Sequence, residues 1–438
     1  MYILADGTTS LAGSCAAFDP HREKRLMSHN KPGAPVSVLV PLALVIVCGC
    51  AISMLSFGPR SVLGLFLVPM TEARGWTREI FALSLAIQNL LWGLGQPFAG
   101  AIADRYGTGR VLAFGGIIYA AGLALMSWAP SPLWLHVSAG VMIGFGMSAA
   151  SFSIVLAAFG RRVPPERRSF VFGIGTAAGS LGQFLFAPLG RTLIAEVGWQ
   201  EALVWMGALM LLIPMLAIAL KGRSDSAVAA EAVEEMTMTQ TLRAAFRHRS
   251  YVLLVVGFFV CGFHVAFITA HMPAYIEDLG LDPSLGAWSL ALIGLFNVIG
   301  SLTSGILGQK QSKPMLLSFI YLARAVAIAA LLLVPPSAVT ILAFSAAMGL
   351  LWLSTVPPTS ALVAIMFGPR YMATLMGIVF FNHQIGSFLG VWLGGRLYDT
   401  TGSYDIVWYL GIALGLAAAL VHWPIREAPA NARPAAAE

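Results

Sequence analysis

The sequence predicts an all-α integral membrane protein of twelve transmembrane helices in two pseudo-symmetric six-helix bundles. Three observations predict it. Hydrophobic residues make up 58% of the chain and charged residues only 11%, with a mean hydropathy of +0.80. A soluble chain carries roughly a quarter charged residues, so lipid must cover much of this exterior. The apolar residues fall into twelve runs of spanning length, six on each side of one polar gap, and the second six repeat the first at a single offset.

The elements follow in order. Residues 1–36 read as a cytosolic tail, because no apolar segment follows a basic start as a secretory signal requires. Cys15 lacks such a preceding segment too, and Met27 is a second candidate start, since nothing before it reads as structural. Apolar runs at 38–69, 79–102, 111–129, 133–158, 170–190 and 202–220 make an N-terminal bundle, 37–221. The stretch 222–249 holds Asp225, Glu231, Glu234 and Glu235, then Arg243, Arg247 and Arg249. It is too polar to span and reads as a cytosolic linker with a short amphipathic helix. Runs at 251–275, 286–307, 315–334, 338–366, 372–395 and 406–423 make the C-terminal bundle, 250–423, and 424–438 is a second cytosolic tail.

Charge sets the orientation. With the N-terminus inside, inner segments hold 20 Lys and Arg, while the outer loops hold four, Arg74, Arg78, Arg191 and Arg396. That bias puts both termini in the cytosol. The net charge of +6 is therefore an orientation signal and not a nucleic-acid footprint. The four cysteines show no zinc-ligand spacing; Cys48 and Cys50 lie on different faces of one helix and read as packing residues. Duplication is visible at an offset of 204 residues, which superposes Gly173-Ile174 on Gly377-Ile378, Phe184-Leu185 on Phe388-Leu389, and Leu189-Gly190 on Leu393-Gly394. It also brings Gly198 onto Gly402, Gly58 onto Gly262 and Pro69 onto Pro273.

The loop after the second run reads Gly100-Ala-Ile-Ala-Asp104-Arg105-Tyr-Gly107-Thr-Gly109-Arg110. This resembles the G-x-x-x-D-R-x-G-x-x-R signature of the major facilitator superfamily, in the cytosolic loop where that family carries it. The second half holds an altered copy, Gly305 to Lys313, with Gln309 in place of the acid. The resemblance implies the major facilitator fold from about residue 38 to 424. It also implies transport by alternating access, with Gly100, Asp104, Arg105, Gly107 and Arg110 as a gating latch. Within the superfamily the chain is most similar to bacterial relatives of the monocarboxylate transporters and oxalate/formate antiporters. Phe57-Gly58-Pro59-Arg60 and Gly75-Trp76-Thr77-Arg78 carry that likeness, Pro59-Arg60 standing where monocarboxylate transporters have Pro-Lys. In helix 8, Asn297 and Ser301 stand where those carriers have an aspartate and an arginine. That pair's proton and carboxylate chemistry does not carry over.

Ionisable groups at membrane depth are costly and mark function by default. No Asp or Glu falls at the middle of a run, which weighs against export of cationic compounds. Arg60 lies deep in helix 1; its planar fork suits a carboxylate. The offset pairs position 60 with His264, so the two are expected to face each other across the pseudo-two-fold axis, with His271 two turns on. Asn382 and His383 in helix 11, Asn89 in helix 2 and Asn297 in helix 8 complete the candidate substrate contacts. Arg324 in helix 9 reads as a partner for inter-helix carbonyls. Gly175-xxx-Gly179 and Gly386-xxx-Gly390-xxx-Gly394 read as close-packing seams, and Pro357-Pro358 should kink helix 10.

The reading is a monomeric secondary transporter of a small organic anion, a mono- or dicarboxylate, with a proton or counter-anion as coupling ion and no metal or cofactor. Two alternatives stand beside it: efflux of a neutral or lipophilic compound, and a non-transporting receptor. No G-x-x-x-x-G-K-[ST] loop for ATP and no catalytic constellation is present.

Overall fold

The computed structural model describes residues 41–222, 238–368 and 372–429, all within one compact unit. The N-terminal tail with Cys15 and Met27, the acidic stretch of the linker and the last C-terminal residues lie outside the described residues. The chain is helical throughout them: α1 (Leu42–Arg74), α2 (Arg78–Tyr106), α3 (Thr108–Trp128), α4 (Pro132–Arg162), α5 (165–197) and α6 (199–220). An amphipathic linker helix, Met238–Arg247, then precedes α7 (Arg249–Asp278), α8 (Ser284–Lys310), α9 (Lys313–Leu333), α10 (Ala338–Phe367), α11 (Met372–Thr401) and α12 (Asp405–His422).

Ten helical segments among the described residues are long and apolar enough to cross a bilayer. One of them, Val171–Leu220, is two helices joined at Gly198, and α2 falls outside the ten because Gln88, Asn89, Gln96 and its charged ends lower its hydropathy. Twelve spans result. Gly198 (φ 82°) turns α5 back into α6, and its repeat mate Gly402 (φ 72°) turns α11 into α12. A left-handed backbone at both sites is cheap only for glycine.

Packing obeys the repeat. In the first half α1 lies along α5, α2 along α4, and α3 against α6; in the second, α7 lies along α11, α8 along α10, and α9 along α12. Glycines make the long crossings close. A Cβ on Gly390 would sit 2.5 Å from the Phe263 carbonyl oxygen, and one on Gly146 2.8 Å from the Tyr119 backbone nitrogen. Large apolar residues such as Phe98, Phe114, Trp128, Phe319 and Leu420 point outward, as lipid contact requires.

Helix 10 is broken and not merely bent. Its halves, Ala338–Leu351 and Val356–Phe367, flank four residues outside regular helix, with Pro357-Pro358 opening the second half. Proline at a helix start forfeits no hydrogen bond, so the pair fixes where helix resumes. The freed backbone groups are taken up by neighbours. Arg324 donates to the carbonyls of Leu351 (2.6 Å) and Trp352, Asn297 Oδ1 accepts from Leu353 N–H (3.0 Å), and Ser304 donates to the Ser354 carbonyl (2.5 Å). Arg324 is thus a carbonyl partner.

Candidate functional site

The two halves meet along α1–α7, α2–α11 and α5–α8. Between them, about midway along α1 and α2, lies a small cleft. Arg60 and Gly64 of α1, Gln88 and Asn89 of α2, Thr269 of α7 and Val391 of α11 line it. Helix 1 delivers Arg60 there because Pro59 and the tight turn Leu63–Phe66 redirect the helix around it.

Arg60 is held on two sides. Its Nη2 donates to Asn89 Oδ1 at 3.1 Å, and Asn89 Nδ2 donates to the Leu85 carbonyl at 2.8 Å, which fixes the amide with its oxygen toward the guanidinium. The guanidinium carbon stands 4.5 Å from the Trp92 ring centre and 5.9 Å from that of Phe57, within cation–π range. No carboxylate is bonded to Arg60 among the described residues. Trp92 in turn abuts Phe380 of α11, ring centres 5.2 Å apart, so the cation is linked to the opposite half through aromatic contact.

The other predicted contacts go elsewhere. His264 does not face Arg60. It turns outward within its own half, its Nε2 2.8 Å from the Gly411 carbonyl of α12, and is 1% exposed. The repeat equates backbone positions, but Gly411 and Gly415 open a slot in α12 that takes the ring. His383 stacks on Phe380 at 5.7 Å and pairs with Gln384 Oε1 at 3.3 Å, while Asn382 Nδ2 donates to the Val255 carbonyl at 2.6 Å. Asn297 joins α8 to α5 through Ser180 Oγ (2.9 Å) besides holding the break in α10. Of the seven substrate candidates, Arg60 and Asn89 line the cleft.

The cleft is shut toward one end. A Cβ on Gly64 would fall 2.8 Å from the Ala270 carbonyl oxygen, so α1 and α7 touch by backbone one turn beyond Arg60. Past that contact lies an ionic closure between the halves. Arg78 at the start of α2 binds Asp278 of α7 through two bonds of 2.6 and 2.7 Å, and donates to Tyr404 Oη at 3.0 Å. Its guanidinium also lies 3.8 Å from the Tyr398 ring centre. Asp399 of α11 accepts from the backbone N–H groups of Arg78 (3.1 Å) and Glu79 (2.7 Å), and so caps α2 from the other half. Glu79 accepts from Trp392 (3.2 Å) and Arg396 (3.0 Å). Burial pushes the Tyr404 phenol well above its ordinary value, while Arg78 opposes the rise; it stays protonated.

His271 stands between this closure and the cleft. Its Nδ1 is 3.1 Å from Tyr404 Oη and its Nε2 is 2.8 Å from the carbonyl of Val391.

At the opposite end the residues expected to form a latch make no such closure among the described residues. Asp104, Arg105 and Arg110 are exposed, and the charge of Asp104 acts on Arg161 of its own half. Arg105 lies 5.3 Å from the Tyr106 ring, Gly107 (φ 97°) ends α2, and no atom would crowd a Cβ on Gly100. Between described residues, no hydrogen bond or ion pair joins the halves at this end. The charge network at the other end was missed because its members sit at helix ends around three separate loops; only Gly75-Trp76-Thr77-Arg78 stood out in sequence.

The profile of the Major Facilitator Superfamily matches residues 49–391. The chain is 26% identical over 365 residues to an uncharacterised MFS-type transporter, YcxA, of Bacillus subtilis, covering 82% of this chain and 88% of that one. It is also 26% identical to monocarboxylate transporter 13 of Rattus norvegicus over 358 residues, 80% of this chain and 81% of the relative. Among solved structures, the inward open conformation of the E. coli xylose transporter XylE superposes with a TM-score of 0.70 at 12% identity, covering 88% of this chain and 96% of that one. A bacterial homolog of the human lysosomal transporter Spinster, in an inward-facing and unoccupied conformation, gives 0.66 at 15% identity, covering 88% and 95%.

Proposed function

The chain belongs to the major facilitator superfamily and is an integral membrane transporter, and on that premise we propose that it carries a small organic anion, a mono- or dicarboxylate, by alternating access. One observation carries the reading: Arg60 is a half-buried guanidinium on the cleft between the halves, contacted among the described residues by a neutral amide and two aromatic rings and by no carboxylate. A charge at membrane depth is costly without a counter-charge, and here an anionic substrate supplies it. The guanidinium fork meets a carboxylate through two parallel bonds. Asn89 Oδ1, which holds the guanidinium, gives up its place on the fork as the substrate arrives. The similarity to monocarboxylate transporter 13 supports the same class.

The positive-inside orientation makes the Asp104 end cytosolic, so the closed Arg78 end faces outward and the described state is inward-facing. The latch around Asp104 then closes in the opposite state. A single chain contains a whole cleft, so one copy transports.

Proteoliposome uptake of radiolabelled mono- and dicarboxylates, with and without a pH gradient, tests the reading. Arg60→Lys keeps the charge without the fork and should lower uptake partly; Arg60→Gln should nearly abolish it. Full anion uptake by Arg60→Gln refutes the anion site and favours a neutral substrate on the aromatic wall.

A further inference from the structure

We infer that His271 is a protonation switch for the outer closure: the Arg78–Asp278–Tyr404 gate can shut only when His271 is neutral, and a proton on it opens that end of the transporter. The inference comes from counting hydrogens along one chain of bonds. Arg78 Nη1 can only donate, so Tyr404 Oη accepts from it at 3.0 Å. The single hydroxyl hydrogen of Tyr404 is then free for His271 Nδ1 at 3.1 Å, which must present a lone pair. The carbonyl of Val391 can only accept, so His271 Nε2 carries the hydrogen that bridges 2.8 Å to it. Every bond is satisfied by the neutral Nε2–H tautomer.

A second proton has nowhere to sit but Nδ1. It would then point at Tyr404 Oη, which already accepts from Arg78 and whose own hydrogen would lose its acceptor. The new charge would also lie one hydroxyl away from the Arg78 guanidinium. Three carboxylates of the closure are already committed. Asp278 of α7 takes two bonds from Arg78, Asp399 of α11 caps α2, and Glu79 of α2 is held by Arg396 and Trp392. Tyr275 of α7 and Tyr398 of α11 meet Tyr404 ring to ring, and the carboxylates of Glu277 on α7 and Asp405 on α12 act on Arg78 and on Tyr275. No carboxylate among the described residues is bonded to His271 and able to neutralise it. Removing the Tyr404 link loosens Arg78 in the same step, because both bonds share one oxygen. The other ring nitrogen holds the carbonyl of a residue that lines the cleft, so the same histidine ties the gate to the cleft wall. The inference concerns the gate alone and stands whether or not the substrate is an anion.

The test needs no substrate. Spin labels on Ala73→Cys and Thr400→Cys, with Cys15, Cys48, Cys50 and Cys261 replaced by alanine, report the separation of the two halves at the Arg78 end by pulsed electron resonance in lipid nanodiscs. Between pH 8 and pH 5 the ratio of long to short distances should rise, by up to about tenfold per pH unit, the limit for one linked proton. His271→Gln keeps a donor for Val391 and an acceptor for Tyr404 and cannot be protonated; it should stay short at every pH, and His271→Asn serves if that variant does not fold. His264→Gln should shift like the parent. A parent that shows no shift, a shift that survives in the His271 variants, or one that vanishes in His264→Gln would each overturn the assignment.

Discussion

On the proposed reading, Asn89 occupies the place of the anion. Its Oδ1 accepts from Arg60 as a substrate carboxylate would, but without charge, so it orients the guanidinium while leaving the site cationic. Asn89→Asp would add that missing charge and tie up the fork permanently. Anion uptake should fall more than tenfold at pH 7, a loss of about 1.4 kcal/mol or more, whereas Asn89→Ala should change the KM only a few-fold. Transport kinetics on the two variants decide it: equal effects would mean that Asn89 touches substrate and does not imitate it. His264 differs in kind. Its imidazole donates to the Gly411 carbonyl inside the C-terminal half, so His264→Leu should lower stability by about 1–3 kcal/mol through an unsatisfied carbonyl. Thermal unfolding in detergent would show that loss, with the pH profile of transport unmoved.

Helix 11 shows how one element carries two sorts of glycine. A Cβ on Gly390 would lie 2.5 Å from the Phe263 carbonyl oxygen, closer than real contacts come, so the α7–α11 backbones would have to part. Gly390→Val should therefore cost about 1–3 kcal/mol or more and lower the melting temperature clearly. Gly377, an earlier residue of the same helix, meets nothing within 4 Å. Gly377→Ala should be neutral or stabilise by up to about 1 kcal/mol, since alanine favours helix over glycine. The G-x-x-x-G spacing marked the contacting glycines: Gly386, Gly390 and Gly394 each leave no room for a Cβ, while Gly377 lies outside the motif. Helix 10 differs: Pro357-Pro358 announces an irregularity, yet its place and extent depend on Arg324, Asn297 and Ser304 arriving from two other helices.

At the scale of the molecule, the proposed alternating access sets two charge clusters on opposite ends against each other. Closure at the Arg78 end joins α2 to α7, α11 and the turn before α12, while Asp104, Arg105 and Arg110 stand exposed at the other. Arg78→Ala should move the equilibrium away from the described state, and Asp104→Asn toward it, because each removes charge-assisted bonds from one closure only. The Ala73/Thr400 spin-label pair would read both shifts, lengthening in the first variant and shortening in the second. A change of the same sign in both would end the idea of opposed closures. Reporter fusions at Gly222 and Ser403 should lie on opposite sides of the membrane, Gly222 in the cytosol; the same side at both would contradict the helix count.

Fold and family were legible in the sequence because lipid imposes them locally. A span must be a continuous apolar helix whatever surrounds it, the basic residues mark loops one at a time, and duplication leaves Gly198 and Gly402 at the same place in each half. Arg60 was legible too, since a charge inside an apolar run is conspicuous without any structure. Which polar residues share a site was not legible. The repeat pairs Arg60 with His264 by position, but a side chain's direction depends on the neighbour that makes room for it, and Gly411 and Gly415 lie about 150 residues further along the chain. The closure at the start of α2 brings Arg78, Asp278, Asp399 and Tyr404 together from the helix ends around three loops, and His271 gains its bonds only because α7, α11 and the turn at Gly402 converge. Periodicity reports what each helix needs from lipid; the donors and acceptors that close a gate are matched only when the helices pack.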